Sequence, residues 1–288
     1  MRPEALALIA AILWGIWWIP IRHLESLGAH SVWGGIAMSA GGLAAVGLWL
    51  LLRRGSLRID WRSLLGAALV GVAVTTYSTA LNHADVVRVI LLFYLAPAWG
   101  KLIEWALLGH RWGWSSSLAL AAALGGALLV LGGEVSLQAL GVGDVLAILS
   151  GMAWAAGAAL MFIGGGASPA ALTLATCASG VLTGLLYAAL AGVAIAADPM
   201  PIAAAGLAYG GLYLVPICML TLWSAQRLSP ATISFILTAE IISGVLSGVL
   251  LLDEPFGPMQ AAGALLIVLG ASIEMIAARG ISPQASGE

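Results

Sequence analysis

A lysine lies inside an otherwise apolar stretch of the chain, VRVILLFYLAPAWGKLIEWALLG, residues 87–109. Tyr94, Pro97 and Lys101 recur at the spacing of one helical face, and Glu104 continues that face by almost one turn. A lysine at the centre of a membrane-spanning helix costs about 2.5–3.5 kcal/mol on insertion scales. This face is therefore expected to point at protein or water, where the Lys101 ammonium could receive a carboxylate group of a ligand.

A structural role for the same lysine is the alternative. Lys101 and Glu104 are three residues apart, so they could pair on one helix while the lysine extends towards the headgroups. Tyr94 and Trp99 would form an apolar or stacking wall in the ligand-binding interpretation. Trp99 is offset from the lysine face by half a turn or more, so it could instead line a neighbouring helix contact. The two roles of Lys101 are not exclusive, because a pair can open when a ligand arrives.

Glu240 is the most deeply placed acid, near the centre of the apolar run FILTAEIISGVLSGVL, residues 235–250. Ser243, Gly244 and Ser247 follow on its face, which predicts that the face looks inward and not at lipid. Three functional roles are open for this carboxyl group: binding a substrate amine, carrying a proton, or countering Lys101 across the helix bundle. A hydrogen-bonded structural acid is the fourth interpretation.

Three further aromatic residues lie near the middle of apolar runs and are candidates for the wall of a binding site: Tyr77, Trp154 and Tyr213. Such a wall would suit an apolar or aromatic ligand. Aromatic belts at the membrane surface explain many membrane aromatics, and Trp61 and Trp114 fit that explanation.

Prolines supply candidate bends for a conformational change. The three that fall within or at the end of apolar runs are Pro20, Pro97 and Pro216. Proline removes a backbone donor and leaves the carbonyl four residues earlier without its helical partner. Pro97 is therefore expected to free the carbonyl of Phe93 and to bend the helix there.

The elements that carry these residues are apolar runs that recur along all 288 residues, with 61% apolar and only 8% charged residues. Such a composition lies outside the range of soluble domains and predicts an all-α polytopic membrane protein. Strands of a barrel would alternate in short segments, and the runs do not. Ten runs are long enough to cross a bilayer, at approximately 4–22, 31–52, 62–82, 87–108, 115–133, 143–163, 169–192, 203–225, 231–251 and 259–278.

The arginines predict the orientation of these runs. The loop between the second and third runs holds Arg53, Arg54, Arg58 and Arg62, and cytoplasmic loops accumulate such residues. With that loop inside, both termini are predicted to be cytoplasmic, in a multi-pass protein.

Two sequence matches indicate an internal repeat. AALGGALLVLG at 122–132 resembles AAGALLIVLG at 261–270, and LLGHRWG at 107–113 occupies the place that LLDEPFG has at 251–257. Both matches fit two halves of five runs, residues 1–138 and 139–288. An odd number of runs per half forces the second half to enter from the other side, which predicts an inverted repeat with a central site between the halves.

The ten runs, the repeat and the LLDEPFG…GALLIVLG segment resemble the drug/metabolite transporter (DMT) superfamily in its EamA-type branch, over essentially the whole chain. The tryptophan-rich LWGIWWIPIRHL and the YLAPAWGKLIEW stretch resemble the aromatic amino-acid exporters of the YddG kind. This resemblance implies export of amino acids and related metabolites across the bacterial inner membrane by alternating access, around a central cavity. The first run lacks the mid-helix glutamate that small multidrug transporters of the superfamily use for coupling.

Other classes of function find no motif. HExxH, GxSxG and CxxC spacings are absent, and so are phosphate-binding glycine loops, which argues against an enzyme, a cofactor or a metal site. A near-neutral charge gives no hint of nucleic-acid binding, and no obligatory protein partner is inferred. The predicted partners are the lipid bilayer and a small zwitterion such as an amino acid, because one cation and one acid face inward. A multidrug exporter of cationic compounds, or a carrier of other metabolites, is the alternative.

Overall fold

The computed structural model describes residues 2–53, 57–108, 113–130, 140–164, 166–195, 198–225, 227, 236–254 and 256–279. Within these ranges the chain forms helices joined by short turns, and no strand occurs in them. The helices are α1 Pro3–Gly15, α2 Trp18–Ser26, α3 Trp33–Arg53, α4 Trp61–Ala80, α5 Val86–Phe93, α6 Ala96–Leu108, α7 Trp114–Val130, α8 Val142–Ile163, α9 Pro169–Ala191, α10 Pro199–Tyr209, α11 Val215–Ala225, α12 Ala239–Leu252 and α13 Pro258–Arg279, with a π-helical segment, Gly210–Leu214, between α10 and α11.

Seven helical stretches are long and apolar enough to cross a bilayer, and three shorter helices are also apolar. The prediction of an all-helical polytopic membrane protein is therefore confirmed, while the number of ten spans stays a prediction. The seven long stretches are Pro3–Ser26, Trp33–Leu52, Trp61–Ala80, Val86–Ile103, Val142–Ile163, Pro169–Ala191 and Pro199–Ala225. The shorter ones are Trp114–Val130, Ala239–Leu252 and Pro258–Gly270.

Helix packing brings distant parts of the chain together. Helix α4 packs against α8 and α9, and α3 packs against α9 and α10. Helix α1 contacts α11 and α12, α5 contacts α8 and α12, and α7 lies along α13. The buried core therefore joins helices from both ends of the sequence.

Three of the apolar stretches are interrupted near their middle, and each interruption lies beside one of the predicted prolines. The first stretch breaks at Ile16–Trp17, just before Pro20, and the fourth breaks at Tyr94–Leu95, just before Pro97. In the stretch Pro199–Ala225, the π-helical segment ends directly before Val215 and Pro216. Because a membrane helix is otherwise continuous, these breaks mark the segments where backbone groups can turn to side chains or ligands.

Helices α7 and α13 cross at a pair of glycines. A Cβ atom on Gly126 would lie 2.6 Å from the Gly263 carbonyl oxygen, and a Cβ on Gly263 would lie 2.7 Å from the Gly126 oxygen. Neither distance is possible without a shift of the backbone. The two glycines therefore set how closely these helices approach.

A glycine-to-alanine comparison tests this crossing. We expect Gly126→Ala to lower the free energy of unfolding by about 1–3 kcal/mol, as an overpacked contact does. Gly125→Ala is the matched control, since its Cβ would meet nothing within 4 Å, and it is expected to be neutral or slightly stabilising. Thermal unfolding of the purified proteins in detergent measures both, and equal shifts would contradict the close crossing.

Candidate functional site

A buried carboxyl group lies where α1, α4 and the α5–α6 break meet α12. Glu240 is in the first turn of α12 and only 5% of its surface is exposed. The Tyr77 hydroxyl donates to Glu240 Oε1 at 3.2 Å, and the Tyr94 hydroxyl lies 2.8 Å from Oε2. Tyr94 also donates to the carbonyl oxygen of Leu237. We call Tyr77, Tyr94, Leu237 and Glu240 the Glu240 cluster.

Helix breaks position these groups. Tyr94 stands in the interruption between α5 and α6, which turns its side chain towards α12. Leu237 precedes a turn residue, Thr238, and Glu240 follows it in the first turn of α12. Tyr77 reaches the same place from the last part of α4. The cluster thus forms where two interrupted segments meet a continuous helix.

Aromatic rings surround the cluster. The Phe93 ring lies 5.2 Å from Tyr77 and 5.5 Å from Tyr94, in edge-on contacts, and 6.3 Å from Trp154 on α8. Trp154 also packs against the small buried cluster formed by Ala11 and Leu237. Tyr77, Tyr94 and Trp154, all predicted as site residues, are therefore brought together with Glu240. Phe93 was not predicted, and its position beside Tyr94 and Pro97 was the available signal.

A second aromatic group lies on the α1 side. Tyr213, in the π-helical segment, stacks on Trp17 at 5.8 Å and donates to the Leu13 carbonyl at 2.5 Å. Trp17 is fully buried, and its indole donates to Ser78 at 3.0 Å. Tyr213 therefore holds the broken segment of the first apolar stretch through a backbone carbonyl. Pro20 is buried just beyond this break, whereas Pro216 is exposed.

Lys101 and Trp99 lie on α6 and are half-buried. Lys101 follows Tyr94 by seven residues, and the described part of the chain contains no ion pair between Lys101 and Glu240. In this conformation the two carboxyl oxygens of Glu240 contact tyrosines and not the Lys101 ammonium. The Glu104 side chain lies outside the described residues. The Trp99 indole nitrogen is buried and has no hydrogen-bond partner among the described residues.

Two carboxylates hold the N-terminal end of α5. Glu254 accepts hydrogen bonds from the Val86 and Val87 amides, each at 2.8 Å, one on each oxygen. Arg88 binds Asp144 at the start of α8 through two contacts, of 2.5 and 2.7 Å. No signal in the sequence paired either acid with α5. They tie α5 to the second part of the chain at the end far from Lys101.

A surface cavity of about 390 Å³ lies between α3 and α10, but its lining is apolar, with Trp33, Ile36 and Leu207 among its walls. Within the described ranges, no three His, Cys, Asp or Glu residues group closely enough to hold a metal ion. Cys177 and Cys218 are buried free thiols.

Comparison with known proteins places this architecture in a family. The EamA-like transporter family matches residues 1–132 and 141–275, nearly the whole chain. The chain belongs to the EamA-like transporter family. A crystal structure of a protein that is 18% identical in sequence is similar in fold to this chain, with a TM-score of 0.61 over 96% of this chain and 98% of that one. No curated protein matches this EamA-like sequence. Members of the family are membrane transporters of small molecules, and the rings, breaks and acid described above lie within the matched residues.

Proposed function

We propose that this EamA-like protein exports neutral amino acids, aromatic ones among them, and related metabolites across the bacterial inner membrane by alternating access. The supporting observation is the surrounding of one buried acid, Glu240, by Tyr77, Phe93, Tyr94 and Trp154, with the Lys101 ammonium on the next helical segment. A zwitterion with an apolar side chain matches a site with an acid, a cation and an aromatic wall.

The proposal includes two inverted halves, residues 1–138 and 139–288, with both termini cytoplasmic and a central cavity between the halves. Two observations support it. The family matches two consecutive stretches of the chain. The helix contacts also correspond between the halves. The contact of α4 with α9, in the third and seventh predicted spans, has its counterpart in the contact of α10 with α3, in the eighth and second. The contact of α6 with α8, in the fourth and sixth spans, has its counterpart in that of α12 with α1, in the ninth and first. An inverted repeat produces this correspondence.

In the proposed site the substrate carboxylate binds Lys101, and the substrate side chain contacts Tyr94, Trp154 and Trp99. The breaks beside Pro20, Pro97 and Pro216 are the hinges. Discontinuous helices are the usual location of substrate sites in transporters, because their freed backbone groups and helix ends meet the ligand. Tyr213 anchors one of these breaks to Leu13 and would move with it.

The buried indole nitrogen of Trp99 supplies a first test. In the proposed site the Trp99 indole nitrogen donates a hydrogen bond to the substrate. Trp99→Phe removes this donor and is expected to weaken substrate binding about 2- to 10-fold, because a hydrogen bond contributes about 0.5–1.5 kcal/mol. Trp114→Phe is the matched control, since Trp114 is 84% exposed at the start of α7, and it should bind like the wild type. Titration of ligand-dependent thermal stability measures both. Equal affinities for Trp99→Phe and wild type would remove Trp99 from the site.

An exporter of cationic compounds is the second candidate, and the combination of Glu240 with aromatic faces favours it, because such faces also attract organic cations. A ligand panel separates the two. Phenylalanine, threonine and methionine are compared with phenylethylamine and tetraphenylphosphonium, which lack a carboxylate. A ligand at a hundred times its Kd stabilises the protein by about 2.7 kcal/mol. Stabilisation by the amino acids supports the proposal, and stabilisation by the cations alone replaces it with the second candidate.

A further inference from the structure

If Glu240 is ionised, the Glu240 cluster has fewer hydrogen-bond donors than the contacts between its oxygen atoms require. Tyr94 has one hydroxyl hydrogen, but its oxygen is within hydrogen-bonding distance of two acceptors, the Leu237 carbonyl and Glu240 Oε2. A carbonyl oxygen never donates. If one acceptor takes the Tyr94 hydrogen, the other contact joins two oxygens with no hydrogen between them, and if the hydrogen is shared, both contacts are weak three-centre bonds. One additional hydrogen is needed to make both contacts favourable.

The Glu240 carboxyl group is the only one of the three groups that can supply this hydrogen. If Oε2 is protonated, it donates to the Tyr94 oxygen at 2.8 Å, and Tyr94 donates to Leu237. Oε1 remains an acceptor for Tyr77 at 3.2 Å. Every polar atom of the cluster is then satisfied. We propose that Glu240 binds a proton in this conformation, and that the Glu240 cluster is the proton-binding site through which transport is coupled to a proton gradient.

The groups around Glu240 are consistent with a neutral acid. The titratable side chains that interact with it are phenols. Tyr77 from α4 and Tyr94 from the α5–α6 break contact it directly, and Tyr213 from the π-helical segment lies within electrostatic range. Helix α1 approaches it through Gly15. Arg88 on α5 binds Asp144, and among the described residues no cation, Lys101 included, forms an ion pair with Glu240.

Glu254 shows the contrasting case within the same chain. Its two oxygens accept from the Val86 and Val87 backbone amides, which can only donate. Each oxygen of an ionised Glu254 therefore has a donor, and no proton on the carboxyl group is required. The same rule thus assigns opposite protonation states to two glutamates, and Glu254 is a matched control for Glu240.

Proton release would follow from movement at the helix break. Tyr94 belongs to the α5–α6 interruption, whereas Leu237 and Glu240 lie on either side of the start of α12. If the break moves away from α12, Oε2 loses its acceptor. The carboxylate would then lie in the first turn of a helix, where the amide dipoles stabilise an anion. Protonation of Glu240 is thereby linked to the conformation of the transporter.

Infrared spectroscopy tests the bound proton without any substrate. We expect the wild type at neutral pH to show the carbonyl stretch of a protonated carboxyl group. This band should vanish in Glu240→Gln and remain in Glu254→Gln. An amide reproduces the hydrogen bonds of a protonated acid, donating to Tyr94 and accepting from Tyr77, so Glu240→Gln should also fold. A band unchanged in Glu240→Gln, or a Glu240→Gln protein that fails to fold, would overturn the inference.

Coupling itself rests on the proposed function and is measured in proteoliposomes. A gradient of one pH unit supports up to about tenfold accumulation for each coupled proton. With the gradient in its driving polarity, the wild type should accumulate labelled phenylalanine above equilibrium, whereas phenylalanine carried by Glu240→Gln should only equilibrate, whatever its rate of exchange. Equal accumulation by both proteins, or none by a wild type that exchanges phenylalanine, would overturn proton coupling through Glu240. Absence of exchange in the wild type would instead remove the proposed function, and the infrared result would still decide whether the proton is bound.

Discussion

Replacing Lys101 with alanine is expected to lower the affinity for a neutral amino acid about 10- to 150-fold, the equivalent of one hydrogen bond to a charged group, about 1.5–3 kcal/mol. The reason is the proposed contact between the Lys101 ammonium and the substrate carboxylate. Lys101 is half-buried on α6, close in sequence to the break that carries Tyr94. Thermal-stability titration with phenylalanine and with phenylethylamine measures the effect.

The two ligands make the test specific for the carboxylate. In Lys101→Ala, binding of phenylalanine should fall while binding of phenylethylamine, which has no carboxylate, should not. Lys101→Arg keeps a cation at this position and should retain part of the phenylalanine affinity, less than the wild type because a guanidinium has a different shape. Parallel losses for both ligands would indicate a folding defect. Unchanged phenylalanine binding would leave Lys101 as a structural residue that extends to the membrane surface.

Among the substitutions proposed for this protein, Arg88→Ala is expected to lower the free energy of unfolding most. Asp144 is almost fully buried, with 3% of its side chain exposed, and Arg88 is its bidentate partner. Breaking a fully buried ion pair from one side typically costs about 3–5 kcal/mol, because the remaining charge has no counter-ion. The Arg88 side chain is 30% exposed, so we expect a loss towards the lower end of this range. Arg88→Ala should therefore unfold at a markedly lower temperature in detergent than the wild type.

An exposed ion pair of the same chain provides the control. Arg22 and Glu25 are 3.1 Å apart, and 34% and 27% of their side chains are exposed. Arg22→Ala should cost no more than about 1 kcal/mol, as exposed pairs do. Asp144→Asn added to Arg88→Ala should recover part of the loss, since it removes the stranded charge. Similar unfolding temperatures for Arg88→Ala and Arg22→Ala would show that the pair does not hold α5 to α8.

The helices and their breaks were largely predictable from sequence, for local reasons. Long apolar runs can cross a membrane only as helices in a chain of this composition, and proline removes a backbone donor wherever it stands. The break at Tyr94–Leu95 accordingly precedes Pro97. The inward face of Glu240 also followed from its own segment, where small and polar residues recur beside it.

The side-chain contacts between helices were not predictable, because they depend on how helices that are far apart in sequence rotate and approach each other. Four roles were open for Glu240, but none of them named its partners, which are Tyr77, 163 residues away, and Tyr94, 146 residues away. Arg88 and Asp144 are separated by 56 residues. The periodicity of one helix says which face is buried but not which side chain of another helix meets it.

Counterflow into proteoliposomes tests most directly that this chain moves neutral amino acids through the site around Glu240 and Lys101. Vesicles are loaded with unlabelled phenylalanine and diluted into a trace of labelled phenylalanine. The prediction is transient accumulation of label in vesicles with the wild-type protein, little with Lys101→Ala, and none in protein-free vesicles. Folded wild-type protein that accumulates no phenylalanine, threonine or methionine under their own counterflow conditions would contradict the account.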